Sequence, residues 1–128
     1  MYKRLNVTEF VLSLIVLLMG VSLVMAAGEV EKGKALFNNP KLGGGTSGRS
    51  CNTCHPGGKG LEGVGLKKEW LTPGGTHKTL EDSVNTCISM ALKGNPLDAK
   101  SEQMHDVIAY LKSLKSVGKA KKKSIEGC

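Results

Sequence analysis

"SCNTCHPGGKG", residues 50–60, places Cys51 and Cys54 three positions apart, with His55 directly after the second cysteine. Three chemistries use such a spacing: half of a zinc site, a dithiol redox pair, and covalent attachment of haem. The compartment of the chain helps to distinguish them, because thiols outside the cytoplasm tend to oxidise. The N-terminal sequence indicates that compartment.

Residues 1–26 have the pattern of a secretory signal peptide. Lys3 and Arg4 precede an almost wholly apolar run over residues 10–27. A basic start, an apolar centre and an alanine-rich end are typical of an export signal, and we expect cleavage after Ala26. The alternative is an uncleaved membrane anchor, since the run approaches the ~20 residues that span a bilayer. Either way, the remainder is predicted to lie in the periplasm or at the outer face of the cytoplasmic membrane.

Export favours haem attachment at the cysteine motif. The two thiols would add to the vinyl groups of the macrocycle, and the adjacent histidine would become the proximal iron ligand. A zinc site would need a second close pair of ligands, whereas the other cysteines and histidines are scattered along the chain. A thioredoxin-like dithiol should lie between a strand and a helix, yet glycines flank this motif on both sides. The sequence therefore predicts one haem c, bonded to Cys51 and Cys54, with His55 on the iron.

Helical spacing indicates three main helices, over residues 29–38, over residues 80–93 and from Ser101 onward. No strand signal follows the signal segment, and residues 56–79, rich in glycine and proline, are expected to be irregular, with His77 in a loop. Aromatic side chains are scarce, so a covalently held apolar cofactor would supply part of the core. The predicted fold is all-α, with three helices and Gly-rich loops wrapped around one covalent haem.

Residues 27–116 are predicted to form one domain, followed by a basic tail over residues 117–128. The full chain has a formal net charge of +7, and loss of the signal, with its two basic residues and one acidic residue, leaves +6. Lysines concentrate near the C-terminal end, at positions 112, 115, 119, 121, 122 and 123. Basic surfaces increase encounter rates with acidic partners, so we expect acidic redox proteins. Nucleic acid is not expected, and a membrane only if the N-terminal segment is retained.

Two segments resemble the small monohaem cytochromes c. "GKALFNNPKLGGGTSGRSCNTCH" is similar to their first helix and haem motif, with Gly33 and Phe37 at its packing positions. "SEQMHDVIAYLKSL" is similar to their C-terminal helix, with Tyr110 near its end. The resemblance implies the cytochrome c fold, in which these two helices cross beside the haem, and a role in carrying single electrons.

The sequence leaves the sixth iron ligand open. Electron-carrying cytochromes c usually place a methionine opposite the histidine, but the corresponding stretch here is "KGNPLDAK" and contains none. Cys87 and Met104 lie on the inward faces of the second and third predicted helices. Met90 lies at the edge of the apolar face of the second helix. Each of these three residues is a candidate ligand.

"LEDSVNTCISMALKGNPLDAKSEQM" is similar to a stretch of the thiosulfate-oxidising cytochromes, thiosulfate dehydrogenase and the SoxA type. In those proteins a cysteine shortly before a glycine is the axial ligand of the catalytic haem, which implies Cys87 here. Cysteine count offers a rival, a disulfide between Cys87 and Cys128, but we expect instead a free or intermolecularly paired thiol at Cys128.

Three functions follow from these observations. Our first expectation is a periplasmic electron carrier that is not an enzyme. The alternatives are a haem subunit of a sulfur-compound-oxidising enzyme, and a sensor with a labile sixth site.

Overall fold

A computed structural model describes residues 29–115 of the protein. This part of the chain is mostly helical, with one small two-stranded sheet. Residues 29–37 are helical and form α1. The later elements, in chain order, are α2 (Cys51–Cys54), β1 (Trp70–Thr72), β2 (Gly75–His77), α3 (Leu80–Cys87) and α4 (Glu102–Ser113). The predicted signal segment and the predicted tail lie outside the described residues.

Short 3-10 turns connect these elements, at Leu42–Gly44, Pro56–Gly58 and Val64–Leu66. The one-turn α2 is a helix that the sequence analysis did not predict, so its count of three helices was too low. Across residues 29–115, no helix combines the length and the apolar character needed to cross a bilayer.

Helices α1 and α4 cross at a glycine. A β carbon built on Gly33 would overlap the carbonyl oxygen of Asp106 and would come within 2.8 Å of Cβ of Tyr110. One turn further along α1, Phe37 packs against Tyr110, with ring centroids 5.1 Å apart and ring planes tilted by 57°. The predicted packing roles of Gly33, Phe37 and Tyr110 are confirmed.

The core is built mainly from side chains of residues 80–92 and of α4, to which α1 and the short turns add single residues. Its largest fully buried members are Phe37, Leu42, Ile88, Leu92, Met104 and Val107. Burial of each such side chain contributes about 1.5–3 kcal/mol relative to leaving it exposed. The predicted inward face of α4 is confirmed, because the apolar side chains from Met104 to Leu111 that define it are all buried.

Side-chain caps fix the starts of the two longer C-terminal helices. Thr79 Oγ1 accepts a hydrogen bond from Asp82 N at 3.1 Å at the start of α3. Ser101 Oγ accepts one from Met104 N at 3.2 Å at the start of α4. A cap of this kind contributes about 1 kcal/mol because it satisfies a backbone N–H that has no partner within the helix. Both starts agree with the sequence analysis.

The second predicted helix is not a continuous α-helix. A π turn, Ile88–Leu92, follows α3 and is closed by a hydrogen bond from Lys93 N to Ile88 O. An α-helix advances by about 100° per residue and would carry the side chain of Leu92 to the edge of the apolar face. The wider π turn advances more slowly and returns Leu92 to the core, where it is buried. The expectation of one regular helix over residues 80–93 is therefore wrong.

A β-hairpin occupies a segment that was expected to be irregular. Its paired residues are Trp70 with His77, Leu71 with Thr76, and Thr72 with Gly75. Pro73 and Gly74 form the turn between the strands, and this dipeptide is a known turn signal. Each strand has only three residues, which is too short for alternation of apolar and polar residues to show. The all-α prediction is wrong at this point, and His77 lies on a strand rather than in a loop.

We predict that Gly33→Ala lowers the free energy of unfolding by about 1–3 kcal/mol, because the added methyl group has no room at the crossing of α1 and α4. Chemical denaturation of the haem-loaded protein measures this change. Ala35→Ser, at an exposed position of the same helix, is the control and should change stability by less than about 0.5 kcal/mol. Equal stability of the two variants would contradict the close approach.

Candidate functional site

The two motif cysteines lie on a single helical turn. Ser50 has extended backbone angles and caps α2, and its backbone N–H donates to Thr53 Oγ1 at 3.0 Å. The side chains of Ser50 and Thr53 together form a capping box, a reciprocal pair of side-chain and backbone contacts at a helix start. Cys51 and Cys54, at the two ends of this turn, are both free thiols.

His55 ends this turn and is almost fully buried, with 8% of its surface exposed. Its backbone N–H donates to Cys51 O at 2.9 Å. Its ring Nδ1 lies 3.2 Å from the carbonyl oxygen of Lys59. A carbonyl can only accept, so Nδ1 is the donor in this contact and Nε2 is the ring nitrogen left for another partner.

Nε2 of His55 makes no hydrogen bond with residues 29–115. A histidine whose Nδ1 donates to a backbone carbonyl, leaving Nε2 for a metal, is the arrangement that metal-bound histidines use.

A second side chain of the motif holds the turn that follows His55. Asn52 Oδ1 accepts a hydrogen bond from Gly57 N at 2.8 Å, and Gly58 N donates to His55 O at 2.8 Å. Gly57 and Gly58 both have positive φ angles, 62° and 83°, which glycine adopts without strain. Lys59, whose carbonyl holds the imidazole, comes directly after this turn. Asn52 therefore positions His55 through the backbone.

The two thiols differ in environment. Cys51 packs against the core, and burial raises the pKa of its thiol to about 11. Its protonated form therefore predominates at neutral pH. Cys54 is exposed. One sulfur thus lies against the interior and the other at the surface.

The donor set fits a covalently bound haem. Two thiols on one turn can form two thioethers, and the neutral imidazole offers Nε2 to iron. The contrast between Cys51 and Cys54 suits a large apolar group that is partly buried and has one edge at the surface. When bound, such a haem supplies an iron that takes up and releases single electrons.

The three candidate sixth ligands lie in different surroundings. Met104 is in the core and has 0% of its surface exposed, whereas Met90 is 45% exposed. The Met90 sulfur lies beside the hairpin turn, 3.5 Å from where a β carbon of Gly74 would be. Cys87 ends α3, is partly buried and is disulfide-bonded. A thiolate ligand from Cys87 would first require reduction of that bond.

In electron-carrying cytochromes c, the loop before the last helix usually carries the methionine ligand. Here that loop is held instead by two hydrogen bonds with the Asn85 side chain, which we call the Asn85 clamp. Asn85 Nδ2 donates to Leu97 O at 2.9 Å, and Leu97 N donates to Asn85 Oδ1 at 2.8 Å. Leu97 is partly buried against the core, and Asn95 N donates to Gly43 O at 2.7 Å. These contacts fix the loop between the π turn and α4. Cys128, whose state the sequence analysis left open, lies outside the described residues.

His77 serves the fold rather than a metal site. Its Nε2 lies 2.9 Å from Thr72 Oγ1 and 3.1 Å from Thr86 Oγ1, which ties the hairpin to α3. His105 is exposed on α4. No group of three or more histidine, cysteine or carboxylate side chains within residues 29–115 could hold a metal ion.

The sequence analysis found the two thiols and the histidine but missed the residues that support them. Asn52 and Thr53 occupy the two variable positions of the motif, where the motif itself requires no residue type. Their tendency to hydrogen-bond nearby backbone was the only available signal. Lys59 contributes its backbone carbonyl. Every residue type has this group, so the sequence carried no signal for the contact.

The helix crossing and the haem motif together define a c-type cytochrome. The family model described as SoxA/TsdA, cytochrome c domain, matches residues 32–128, and the chain belongs to this family. The resemblance to c-type cytochromes with SoxA/TsdA similarity is thereby confirmed, and with it a haem electron-transfer domain. Searches of curated proteins and of solved structures found no match to the chain.

We predict that Asn52→Ala weakens the hold on His55, because Gly57 N loses its acceptor at a cost of about 1 kcal/mol. The measurement is an acid titration of the haem spectrum, which reports loss of the histidine–iron bond as the imidazole is protonated. The midpoint should move to higher pH in Asn52→Ala. Asn52→Asp keeps an acceptor oxygen and should titrate close to the parent protein. Identical midpoints in Asn52→Ala and the parent would contradict the positioning role.

Proposed function

We propose that the protein is an exported cytochrome that carries one electron at a time, on one haem, between redox partners. The observation that carries the proposal is the 3.2 Å contact between His55 Nδ1 and Lys59 O, which leaves Nε2 available to iron. The 128 residues contain one Cys-x-x-Cys-His motif, which supports a single haem. Export is supported by the signal-like residues 1–26 and by the family.

The residues around the site suit repeated electron transfer. The Lys59 carbonyl orients the His55 ring and makes it a stronger donor to the iron, which favours the oxidised state. The capped turn of α2 and the Asn52 contact keep the backbone around the ring in one arrangement. A ligand shell that moves little between oxidation states lowers the cost of each transfer. Cys54, being exposed, marks the side from which a partner reaches the haem.

The family match favours a second candidate, a haem subunit of a sulfur-compound-oxidising enzyme. SoxA/TsdA domains are haem domains of such enzymes, and thiosulfate is the substrate that this family suggests. With one haem motif in the chain, this role would require a partner cytochrome to take the second electron of each oxidation.

We predict that the purified protein carries one haem per chain, titrates as a one-electron couple, and does not oxidise thiosulfate alone. Haem content is measured from the reduced pyridine derivative, and the couple from a spectroelectrochemical titration. Thiosulfate turnover is followed with ferricyanide as the acceptor. The control is Cys51→Ala/Cys54→Ala, which should retain no haem after denaturing electrophoresis. Turnover by the protein alone would contradict the carrier proposal and would also show that oxidation of thiosulfate needs no partner cytochrome.

The sixth ligand is tested with Cys87→Ser, Met90→Leu and Met104→Leu, followed by the spectrum of the oxidised protein. We expect one variant to lose the low-spin spectrum and the other two to keep it. Loss of the long-wavelength methionine–iron band would identify a methionine, and loss of a thiolate signature would identify Cys87. Chemical denaturation of each variant separates loss of the ligand from loss of the fold. Retention of the spectrum by all three would contradict all three assignments.

A further inference from the structure

The positive charge of the described chain is concentrated on one surface. Two segments form it, residues 58–68 and residues 112–115, and we name it the basic surface. Its exposed lysines are Lys59, Lys67, Lys68, Lys112 and Lys115.

Close backbone contacts hold the two segments together. Gly63 N donates to Leu114 O at 2.9 Å. A β carbon built on Gly58 would come within 2.7 Å of the Leu114 side chain. One built on Gly65 would come within 2.7 Å of Cγ of Lys112. The end of α4 and the loop after the haem motif therefore present their lysines as one surface.

This charge is not balanced locally. The two segments contain five lysines and one acidic residue, Glu62, for a net charge of +4. The other residues between 29 and 115 contain seven basic and eight acidic side chains, for a net charge of −1. The ion pairs found among the described residues, Lys32–Glu102 and Lys78–Glu69, involve none of the five lysines. The basic surface thus holds the excess positive charge of the described chain.

An apolar side chain lies within this surface. Leu66 is 81% exposed, although its neighbour Val64 is buried. Protein interfaces commonly combine an apolar centre, which loses water on contact, with a charged rim that sets orientation. Leu66 and the adjacent lysines have this composition.

We infer that the basic surface is a docking site for an acidic protein that exchanges electrons with this cytochrome. The inference rests on the proposed function, because it identifies the partner by its redox role. The positive lysines complement carboxylates on that partner, and the exposed Leu66 side chain makes an apolar contact with it. The surface is joined to the haem motif directly, since the carbonyl of Lys59 holds His55.

The test is stopped-flow electron transfer between the haem-loaded protein and reduced flavodoxin, used as an acidic redox probe, at low and high ionic strength. Lys67→Glu/Lys68→Glu should slow the second-order rate by about tenfold at low ionic strength and weaken its salt dependence. Lys34→Glu/Lys41→Glu makes the same change in net charge at exposed positions outside the surface. This control should slow the rate much less.

Leu66→Ala should raise the dissociation constant of the complex with flavodoxin by about threefold or more. The salt dependence of the second-order rate should stay unchanged. Leu71→Ala is the matched control, because Leu71 is 73% exposed on the hairpin and lies outside the basic surface. Equal effects of the two charge-reversal variants, or of the two leucine variants, would overturn the inference.

Two further measurements separate this inference from its alternatives. Reduction of each variant by dithionite reports whether the haem accepts an electron at all, so its failure would count against the proposed function and not against docking. Sedimentation with phosphatidylserine vesicles tests an anionic lipid surface. Vesicle binding that is lost in Lys67→Glu/Lys68→Glu, together with an unchanged flavodoxin rate, would overturn the protein-docking inference in favour of a membrane.

Discussion

The contact between Gly33 and the backbone of Asp106 is the constraint on which the rest of the structure depends. It brings α1 and α4 closer than any side chain would allow. The close approach places α4 so that Leu114, just past its end, accepts from Gly63 N and covers Gly58. That loop in turn supplies the carbonyl that orients the motif histidine. Gly33, which has no side chain, is thus linked through a short series of contacts to His55, whose Nε2 would bind the iron.

Polar side chains supply hydrogen bonds that regular secondary structure supplies in other parts of the fold. Asn85 pairs with both backbone groups of Leu97, as a neighbouring strand would. Thr86 and Thr72 join α3 to the hairpin through His77. In a chain with 17 glycines, such contacts offset the backbone freedom that the loops would otherwise have. The irregular segments are ordered by specific hydrogen bonds and not by packing alone.

Sequence reasoning identified what depends on local pattern. The starts of α3 and α4 and the haem motif followed from short-range signals, whereas the crossing residues and the type of cytochrome followed from the resemblance to a known family. It failed where distant contacts prevail over local preference. The π turn exists because Leu92 must reach the core, and the hairpin because α3 offers a surface to strands of only three residues. The two hydrogen bonds between Asn85 and Leu97 could not be predicted either, because the two residues are 12 positions apart.

The hydrogen bonds of the haem motif have one property in common: each joins residues no more than five positions apart. The pairs Ser50–Thr53, Asn52–Gly57 and His55–Lys59 need nothing from the remainder of the chain. Contacts this local close much faster than those between distant segments, such as the one between Gly33 and Asp106. The motif can therefore take its shape early, while the terminal helices have not yet met. A haem could then be attached to a turn that is already formed, and the domain would close around a cofactor already in place.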